Sequence, residues 1–115
     1  MSNPITRIEP GKRMSNAVVF GDLVYLAGQV GEGPGVTEQA QSALAEVDRL
    51  LALAGTSKAR ILSVQVWLAN IGDFAAMNAV WESWVDPANP PARATGEARL
   101  ATPDYRVEFI VVAAR

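Results

Sequence analysis

Two short apolar segments near the start of the chain constrain its fold more than any other feature. Ala17–Phe20 and Leu23–Ala27 are separated only by Gly21-Asp22. This spacing predicts a two-residue β-hairpin, because glycine adopts a positive φ without steric cost. Both segments are apolar at nearly every position, whereas a strand with one solvent-facing side alternates apolar and polar residues. The hairpin therefore predicts a sheet that is covered on both faces.

Two segments carry the apolar repeat of three and four residues that is typical of amphipathic helices. Thr37 is the expected N-cap of the first helix and Gly55 its expected stop. Asp73 is the expected N-cap of the second helix. The apolar stripe of the first helix is Ala40, Leu44, Val47, Leu51 and Ala54, and that of the second is Phe74, Met77, Trp81 and Trp84.

Four more segments read as strands: Ile5–Glu9, Ile61–Ala69, Arg93–Glu97 and Arg106–Ala114. In the second of these, Leu62, Val64, Val66 and Leu68 are predicted on one side and Ser63, Gln65 and Trp67 on the other. The order of elements predicts one α+β domain over residues 1–115, with a single sheet that carries two helices on one face. Two helices cover only one face, so a symmetric second copy is the simplest cover for the other.

Composition removes several classes of chemistry. The 115 residues include no histidine and no cysteine, which excludes Ser-His and Cys-His nucleophilic systems and nearly every structural zinc site. The net charge of -2 and the scattered basic residues disfavour nucleic-acid binding. The acidic residues show no metal-binding spacing, and the glycine-rich segment from Gly28 to Gly35 lacks the Gly-Lys-Ser/Thr of a phosphate loop. We therefore expect no metal site and no nucleic-acid partner.

Localisation is predicted from what the sequence lacks. No apolar run approaches the roughly 20 residues that span a bilayer. The start, Met1-Ser2-Asn3-Pro4, has no basic residue followed by an apolar core, so no secretory signal is visible. We expect a cytoplasmic protein with no membrane partner.

Arg93 is the residue best suited to bind a small acid. It follows the rigid Pro90-Pro91-Ala92 segment and opens a strand, so its guanidinium is presented from a constrained backbone at the end of a sheet. This arrangement suits bidentate capture of a carboxylate. On the residues alone, a surface arginine that pairs with Glu97 or Glu82 stays open as the alternative.

Glu108 is the residue best suited to general acid–base chemistry. In the last strand, Glu108 shares one side with Ile110 and Val112, so its carboxylate is expected to be partly withdrawn from water. Ion-pair networks place carboxylates in similar surroundings. A structural salt bridge therefore stays open as the alternative, with one of three candidate partners: Arg93, Arg99 or Arg106.

Four motifs occur together in a specific order. They are Gly28-Gln29-Val30 after an apolar strand, Asp73-Phe74-Ala75-Ala76-Met77-Asn78 at the start of the second helix, Pro91-Ala92-Arg93, and Val107-Glu108. In this combination the chain resembles the Rid family of reactive intermediate deaminases, also called the YjgF family, over nearly its whole length. The resemblance implies a chorismate-mutase-like α+β fold with a mixed sheet. It also implies a homotrimer with a central β-barrel and three pockets between subunits.

The resemblance further implies an activity in metabolite damage control. Members hydrolyse reactive 2-imino and enamine acids, such as 2-aminoacrylate and 2-iminobutyrate, to 2-oxo acids and ammonia without a cofactor. Arg93 matches the family arginine that binds the substrate carboxylate, and Glu108 matches the carboxylate that positions or activates water. Gly28 matches a glycine that lines the pocket.

The chain differs from the archetype of this family at two pocket positions. Met14, within Lys12-Arg13-Met14-Ser15, stands where archetypal members have the tyrosine of a Gly-Pro-Tyr segment. Ala27 stands where they have a serine before the glycine. Met14 and Ala27 are thus candidate substrate-binding residues without the archetypal hydroxyl groups.

Three other functions compete with imine hydrolysis. The differences at Met14 and Ala27 favour a non-catalytic trimer that binds small carboxylates. A protein-binding or chaperone-like role is a second possibility for the same fold. RNA cleavage, sometimes assigned to members of this family, is the weakest, because the chain is acidic and has no basic stripe or histidine.

Overall fold

A computed structural model describes residues 4–115; the segment Met1–Asn3, on which the expectation of no secretory signal rests, lies outside the described residues. Two short 3-10 turns, Lys58–Arg60 and Ile71–Asp73, precede the strand Ile61–Leu68 and the helix Phe74–Trp84. The main elements in chain order are β1 Ile5–Pro10, β2 Ser15–Phe20, β3 Leu23–Leu26, α1 Val36–Leu53, β4 Ile61–Leu68, α2 Phe74–Trp84, β5 Ala92–Glu97 and β6 Val107–Ala114.

The six strands form one mixed sheet in the order β1-β2-β3-β6-β4-β5. Among the strand pairs of residues 4–115, only β4–β5 is parallel, because α2 connects these two strands and returns the chain to the same end of the sheet. Both helices pack on one face. The expected α+β architecture of one sheet with two helices on a face is confirmed.

The predicted hairpin forms the centre of the β1–β2–β3 meander. Phe20 pairs with Leu23, and Gly21 has a φ of 59°. The φ of Asp22 is not positive. The turn therefore has the pattern of type II′, in which glycine takes the first central position.

Helix α1 begins earlier than the sequence predicted. Its N-cap residue is Gly35 and not Thr37, and no side chain caps it. Thr37 is the second residue of the helix. Val36, the first residue, is buried, so the first turn packs against the core. The predicted stop is confirmed: Gly55 has a φ of 82°, and the N–H groups of Gly55 and Thr56 donate to Ala52 and Leu51 in a Schellman motif.

A β-bulge near the start of β4 interrupts the simple alternation that the sequence predicted for this strand. Ile61 pairs with Ala113 and Ser63 with Val112, so the register shifts by one residue between them. The extra residue places Ile61 in the core and leaves Leu62 48% exposed. Leu62 therefore does not share the buried side of β4, where Val64, Val66 and Leu68 lie as predicted.

Asp73 is the N-cap residue of α2 as predicted, but its side chain accepts no capping hydrogen bond. The preceding 3-10 turn is capped by Asn70, whose Oδ1 accepts from the N–H of Gly72 at 2.8 Å. Asp73 instead lies 3.9 Å from the guanidinium of Arg106. The extra turn before α2 thus shifts the capping role to Asn70.

Within one chain, the helices cover only one face of the sheet. Strand β6 shows the contrast most clearly, since its helix-side residues are fully buried and its other residues are half-buried. The second face is largely apolar and carries large exposed side chains: Phe20, Leu23 and Tyr25. The sheet is therefore apolar on both sides, as the hairpin predicted.

Candidate functional site

Arg93 lies on the helix-covered side of β5, at the edge of the sheet. Its Cα pairs with that of the buried Val64, and its guanidinium carbon lies 5.2 Å from the ring centroid of Trp81 and 5.9 Å from that of Phe74. Both aromatic residues belong to α2, so cation–π contacts with this helix hold the guanidinium in place. The aromatic stripe of α2 therefore supports the arginine as well as the core.

The guanidinium of Arg93 has no ion-pair partner within residues 4–115. Burial lowers the pKa of Arg93 below the usual arginine value, while the more distant charge of Glu82 acts in the opposite direction. Arginine nevertheless stays cationic at neutral pH. Glu97 is occupied elsewhere, accepting the N–H of Ile71 at 2.9 Å. Neither predicted surface pairing of Arg93 forms within the described part of the chain.

Thr95 lies two residues beyond Arg93 on the same side of β5. The N–H of Ala98 donates to the carbonyl of Leu68 on β4. In a parallel strand, every second residue directs its N–H and C=O groups to the same neighbouring strand. Ala98 directs its N–H to β4, so Arg93 and Thr95, which lie an odd number of residues before it, direct their peptide groups to the free edge of the sheet. The Thr95 hydroxyl oxygen is also buried without a hydrogen-bond partner in the described residues. The edge thus offers peptide N–H groups beside the cation.

Glu108 lies on the opposite, open face of the sheet, near the start of β6. It is half-buried, pairs across the ladder with Trp67 of β4, and forms no ion pair with another residue in the described range. Its carboxylate packs directly on Gly28, where a β-carbon would collide with the Glu108 Oε2 atom. The predicted structural salt bridges of Glu108 therefore do not form within residues 4–115, and Gly28 is the residue that gives its carboxylate room.

Arg93 and Glu108 do not meet within one chain. Strand β4 separates their strands, Arg93 pairs with Val64 while Glu108 pairs with Trp67, and the two side chains leave the sheet on opposite faces. A ligand bound by both residues must therefore lie between two copies of the chain.

The remaining predicted site residues lie at the end of the sheet that carries Glu108. The N–H of Ala27 donates to the carbonyl of Asn16, which extends the hairpin to Gly28. Met14 precedes β2, is 53% exposed, and accepts the N–H of Gly11 with its carbonyl. Gly28 is thus in contact with Glu108, whereas Met14 and Ala27 contribute apolar surface at the same end.

Sequence reasoning missed two residues near Glu108. The sequence places Trp67 only on the mixed side of β4; in the structure its ring lies over Gly96, and its Cα pairs with that of Glu108. Gln39 was not singled out, although it is buried and bonds to two loops. The available indication for Gln39 in the sequence was that this polar residue directly precedes Ala40, which belongs to the apolar stripe of α1.

Neither of two open cavities in the described residues joins Arg93 to Glu108. One of about 270 Å³ runs along β4 and β5 beside Arg93. A larger one of about 410 Å³ is lined by Arg99, Thr102 and Tyr105 and includes neither Arg93 nor Glu108. Within residues 4–115, no three acidic side chains converge on a position that could hold a metal, and no helix is long and apolar enough to cross a membrane.

Comparison with known proteins gives matches over nearly the full chain. The family model described as endoribonuclease L-PSP matches residues 4–115. A RutC family protein of Haemophilus ducreyi is 44% identical over 112 residues, which cover 96% of each chain. The human 2-iminobutanoate/2-iminopropanoate deaminase is 31% identical over 107 residues, covering 86% of this chain and 77% of the human protein.

The fold has close solved counterparts. The crystal structure of a YjgF family member from Neisseria meningitidis superposes with a TM-score of 0.95 at 41% identity, covering 97% of this chain and 95% of that one. Both the sequence and the backbone of this chain are therefore similar to the same group of proteins.

Proposed function

The chain belongs to the endoribonuclease L-PSP family, known also as the YjgF or Rid family, and we propose that it is a cofactor-independent deaminase of reactive 2-imino and enamine acids. It converts substrates such as 2-aminoacrylate and 2-iminobutyrate to 2-oxo acids and ammonia, a role in cytoplasmic metabolite damage control. The name of the human relative, 31% identical, supports this activity. The closer relatives carry only a family name.

The observation that carries the proposal is the aromatic-supported guanidinium of Arg93 at a free sheet edge, which has no ion-pair partner in residues 4–115. A 2-imino acid carries a carboxylate next to the reacting carbon, and a planar guanidinium binds a carboxylate through two parallel hydrogen bonds. The peptide N–H of Thr95 faces the same edge and adds a neutral donor. Binding the carboxylate there fixes the position of C2.

Glu108 supplies the second half of the reaction. Its carboxylate accepts a proton from water as the water oxygen forms a bond to C2, and the C=N π electrons move to nitrogen. For a protonated imine this gives a neutral carbinolamine, and Glu108 returns the proton to its nitrogen. The C2–N bond then breaks to release ammonia, while the hydroxyl group passes its proton back to the Glu108 carboxylate and its oxygen forms the C=O bond of the 2-oxo acid. An enamine first takes a proton at C3 to become the imine. Orientation can supply much of the rate gain, because imines already hydrolyse in water.

The opposite orientations of Arg93 and Glu108 lead to a site shared between subunits. We propose a closed homotrimer in which the apolar open faces meet at a central barrel. Arg93 of one copy and Glu108 of a neighbour then line each of three pockets. The exposed Phe20, Leu23 and Tyr25 on the open face support this assembly, because monomeric proteins rarely expose apolar patches of that kind.

A coupled assay tests the activity. Threonine dehydratase or an amino-acid oxidase generates the imine in place, and the appearance of 2-oxo acid and ammonia is timed with and without the protein. Faster release that scales with protein concentration is expected. Release at the uncatalysed rate, combined with binding of a stable 2-oxo acid, identifies the non-catalytic carboxylate-binding trimer instead, the alternative that Met14 and Ala27 favour.

A mixing experiment tests the shared site. Arg93→Lys and Glu108→Gln chains, each impaired alone, are co-expressed so that trimers form at random. If each pocket takes its arginine and its glutamate from different chains, about one quarter of the pockets regain both native residues. Activity in the mixture no higher than in either variant alone would place the two residues in separate sites. An RNA substrate in the same series tests the cleavage activity that the family description names.

A further inference from the structure

Gln39 is the more deeply buried of the two buried polar side chains in the described range, at 4% exposure. Its Nε2 group donates to the carbonyls of Gly33 at 3.1 Å and Asp104 at 2.9 Å, and its Oε1 accepts the N–H of Arg106 at 2.8 Å. Both amide protons and the carbonyl are therefore used. All three partners are backbone groups, so the contacts depend on the path of the main chain.

The three hydrogen bonds join two loops that are distant in sequence. Gly33 belongs to the glycine-rich loop that starts at Gly28, and the Asp104–Arg106 segment leads directly into β6. The glycine-rich loop also rests on α1 itself, since a β-carbon at Gly31 would collide with the backbone carbonyl of Gln39. Gln39 therefore attaches both loops to helix α1.

Glu108 lies between the anchored points of this arrangement. On its N-terminal side, the N–H of Arg106 donates to Gln39 and the carbonyl of Arg106 accepts from Ala69 at 3.0 Å. On its C-terminal side, the peptide groups of Phe109 exchange two hydrogen bonds with Gln29, at 2.8 and 2.9 Å. Gln29 directly follows Gly28, against which the Glu108 carboxylate packs.

We propose that Gln39 is the positioning residue for Glu108. It fixes the start of β6 relative to the glycine-rich loop, so that the Glu108 carboxylate stays on Gly28 and points at the attacking water. Glutamine is the required side chain because two carbonyls and one N–H must be satisfied at once. Glutamate lacks both donors, and methionine has the length but none of the hydrogen bonds. The kinetic part of this inference rests on the proposed deaminase activity.

The experiment compares Gln39→Met and Gln39→Glu with Gln41→Met, an exposed glutamine on the same helix that serves as a matched control. The Gln39 variants are expected to lower kcat per folded trimer by about tenfold or more, the scale of a small misplacement of a catalytic group. KM and the Kd for a 2-oxo acid should stay within about twofold, because Arg93 still holds the carboxylate. Gln41→Met should match the wild type.

A second readout does not depend on turnover. The side-chain carboxyl resonance of Glu108, assigned by its loss in Glu108→Gln, is recorded by ¹³C NMR at one fixed pH in each variant. A changed chemical shift for the Glu108 carboxyl carbon, with that of the distant Glu9 unchanged, is expected in both Gln39 variants. If Gln39→Met does not fold, Gln39→Glu, which keeps the acceptor for Arg106, provides the measurement.

The outcomes separate the two proposals. An unchanged chemical shift for the Glu108 carboxyl carbon, or a kcat that falls only in proportion to the folded fraction, overturns the positioning role. A wild-type protein without imine turnover overturns the proposed function alone, and the NMR chemical shifts then decide whether Gln39 positions Glu108.

Discussion

The carboxylate of Glu108 occupies the space where a side chain at Gly28 would begin. Gly28 therefore has a steric reason to be glycine, unrelated to its backbone angles, since its φ is not positive. The contact joins the end of the β2–β3 hairpin to the start of β6. It holds on the open face of the sheet a carboxylate that forms no ion pair among the described residues.

Replacing Gly28 with alanine should therefore disable the site. The new β-carbon forces Glu108 to move, and we expect turnover to fall by about tenfold or more. Gly11→Ala is the matched control, because the added atom would meet only the carbonyl of Met14 at an ordinary 3.5 Å. Equal loss of turnover in both variants would indicate a general effect of glycine replacement.

Arg93→Lys should lose most activity while the protein stays folded. Lysine keeps the charge but loses the planar pair of donors, which costs on the order of 2 kcal/mol, or about 30-fold in kcat/KM. The melting temperature should change little, because Arg93 has no ion pair within residues 4–115. Arg60→Lys, an exposed arginine in the turn before β4, is the control. Unchanged kcat/KM for Arg93→Lys would mean that the substrate carboxylate is held elsewhere.

Glu108→Gln distinguishes a catalytic carboxylate from a structural one. The amide keeps the shape of the side chain, so binding of a 2-oxo acid through Arg93 should persist. Imine turnover should slow by roughly 10²-fold or more, the usual effect of removing a positioned general base. Melting temperature, ligand binding and turnover are measured on one preparation. A lower melting temperature with intact turnover per folded trimer would assign Glu108 to a structural role.

If the proposed trimer forms, a charge introduced on the open face of the sheet should disrupt assembly, whereas a charge introduced in the helix layer should not. Tyr25→Glu places a charge on the open face, so light scattering should show dissociation or aggregation. Leu53→Glu is the control, because Leu53 is 56% exposed at the end of α1, in the helix layer. Wild-type protein that is monomeric at micromolar concentration would contradict the trimer and the shared pockets together.

The acid stability of the chain should depend on Glu9. Hydrogen bonds from Arg49 and Asn16 lower the pKa of Glu9 from 4.5 to about 2. Because the pKa is lower in the folded state, the stabilisation is complete above about pH 4.5 and is lost as the pH falls toward 2. Glu9→Gln should therefore flatten the melting temperature over this range. High salt should weaken the same contribution, since the pair is solvent-exposed.

Local patterns determined much of this protein. The buried stripe of α1, its stop at Gly55, the hairpin turn at Gly21 and the alternation of β6 all follow from short-range periodicity and the backbone freedom of glycine. Motifs in a fixed order were also enough to identify the family, because they extend over nearly the whole chain.

Tertiary packing decided the rest. Helix α1 starts at Val36 and not after Thr37 because a buried side chain outweighs a capping hydroxyl, and the bulge at Leu62 arises from pairing with a strand about fifty residues away. The opposite faces of Arg93 and Glu108 follow from the register of two ladders that share β4. Gln39 is buried and fully hydrogen-bonded because partners 65 and 67 residues away in the sequence fold against it. Such long-range contacts leave no periodicity in the sequence, so only the folded chain shows which residues face each other.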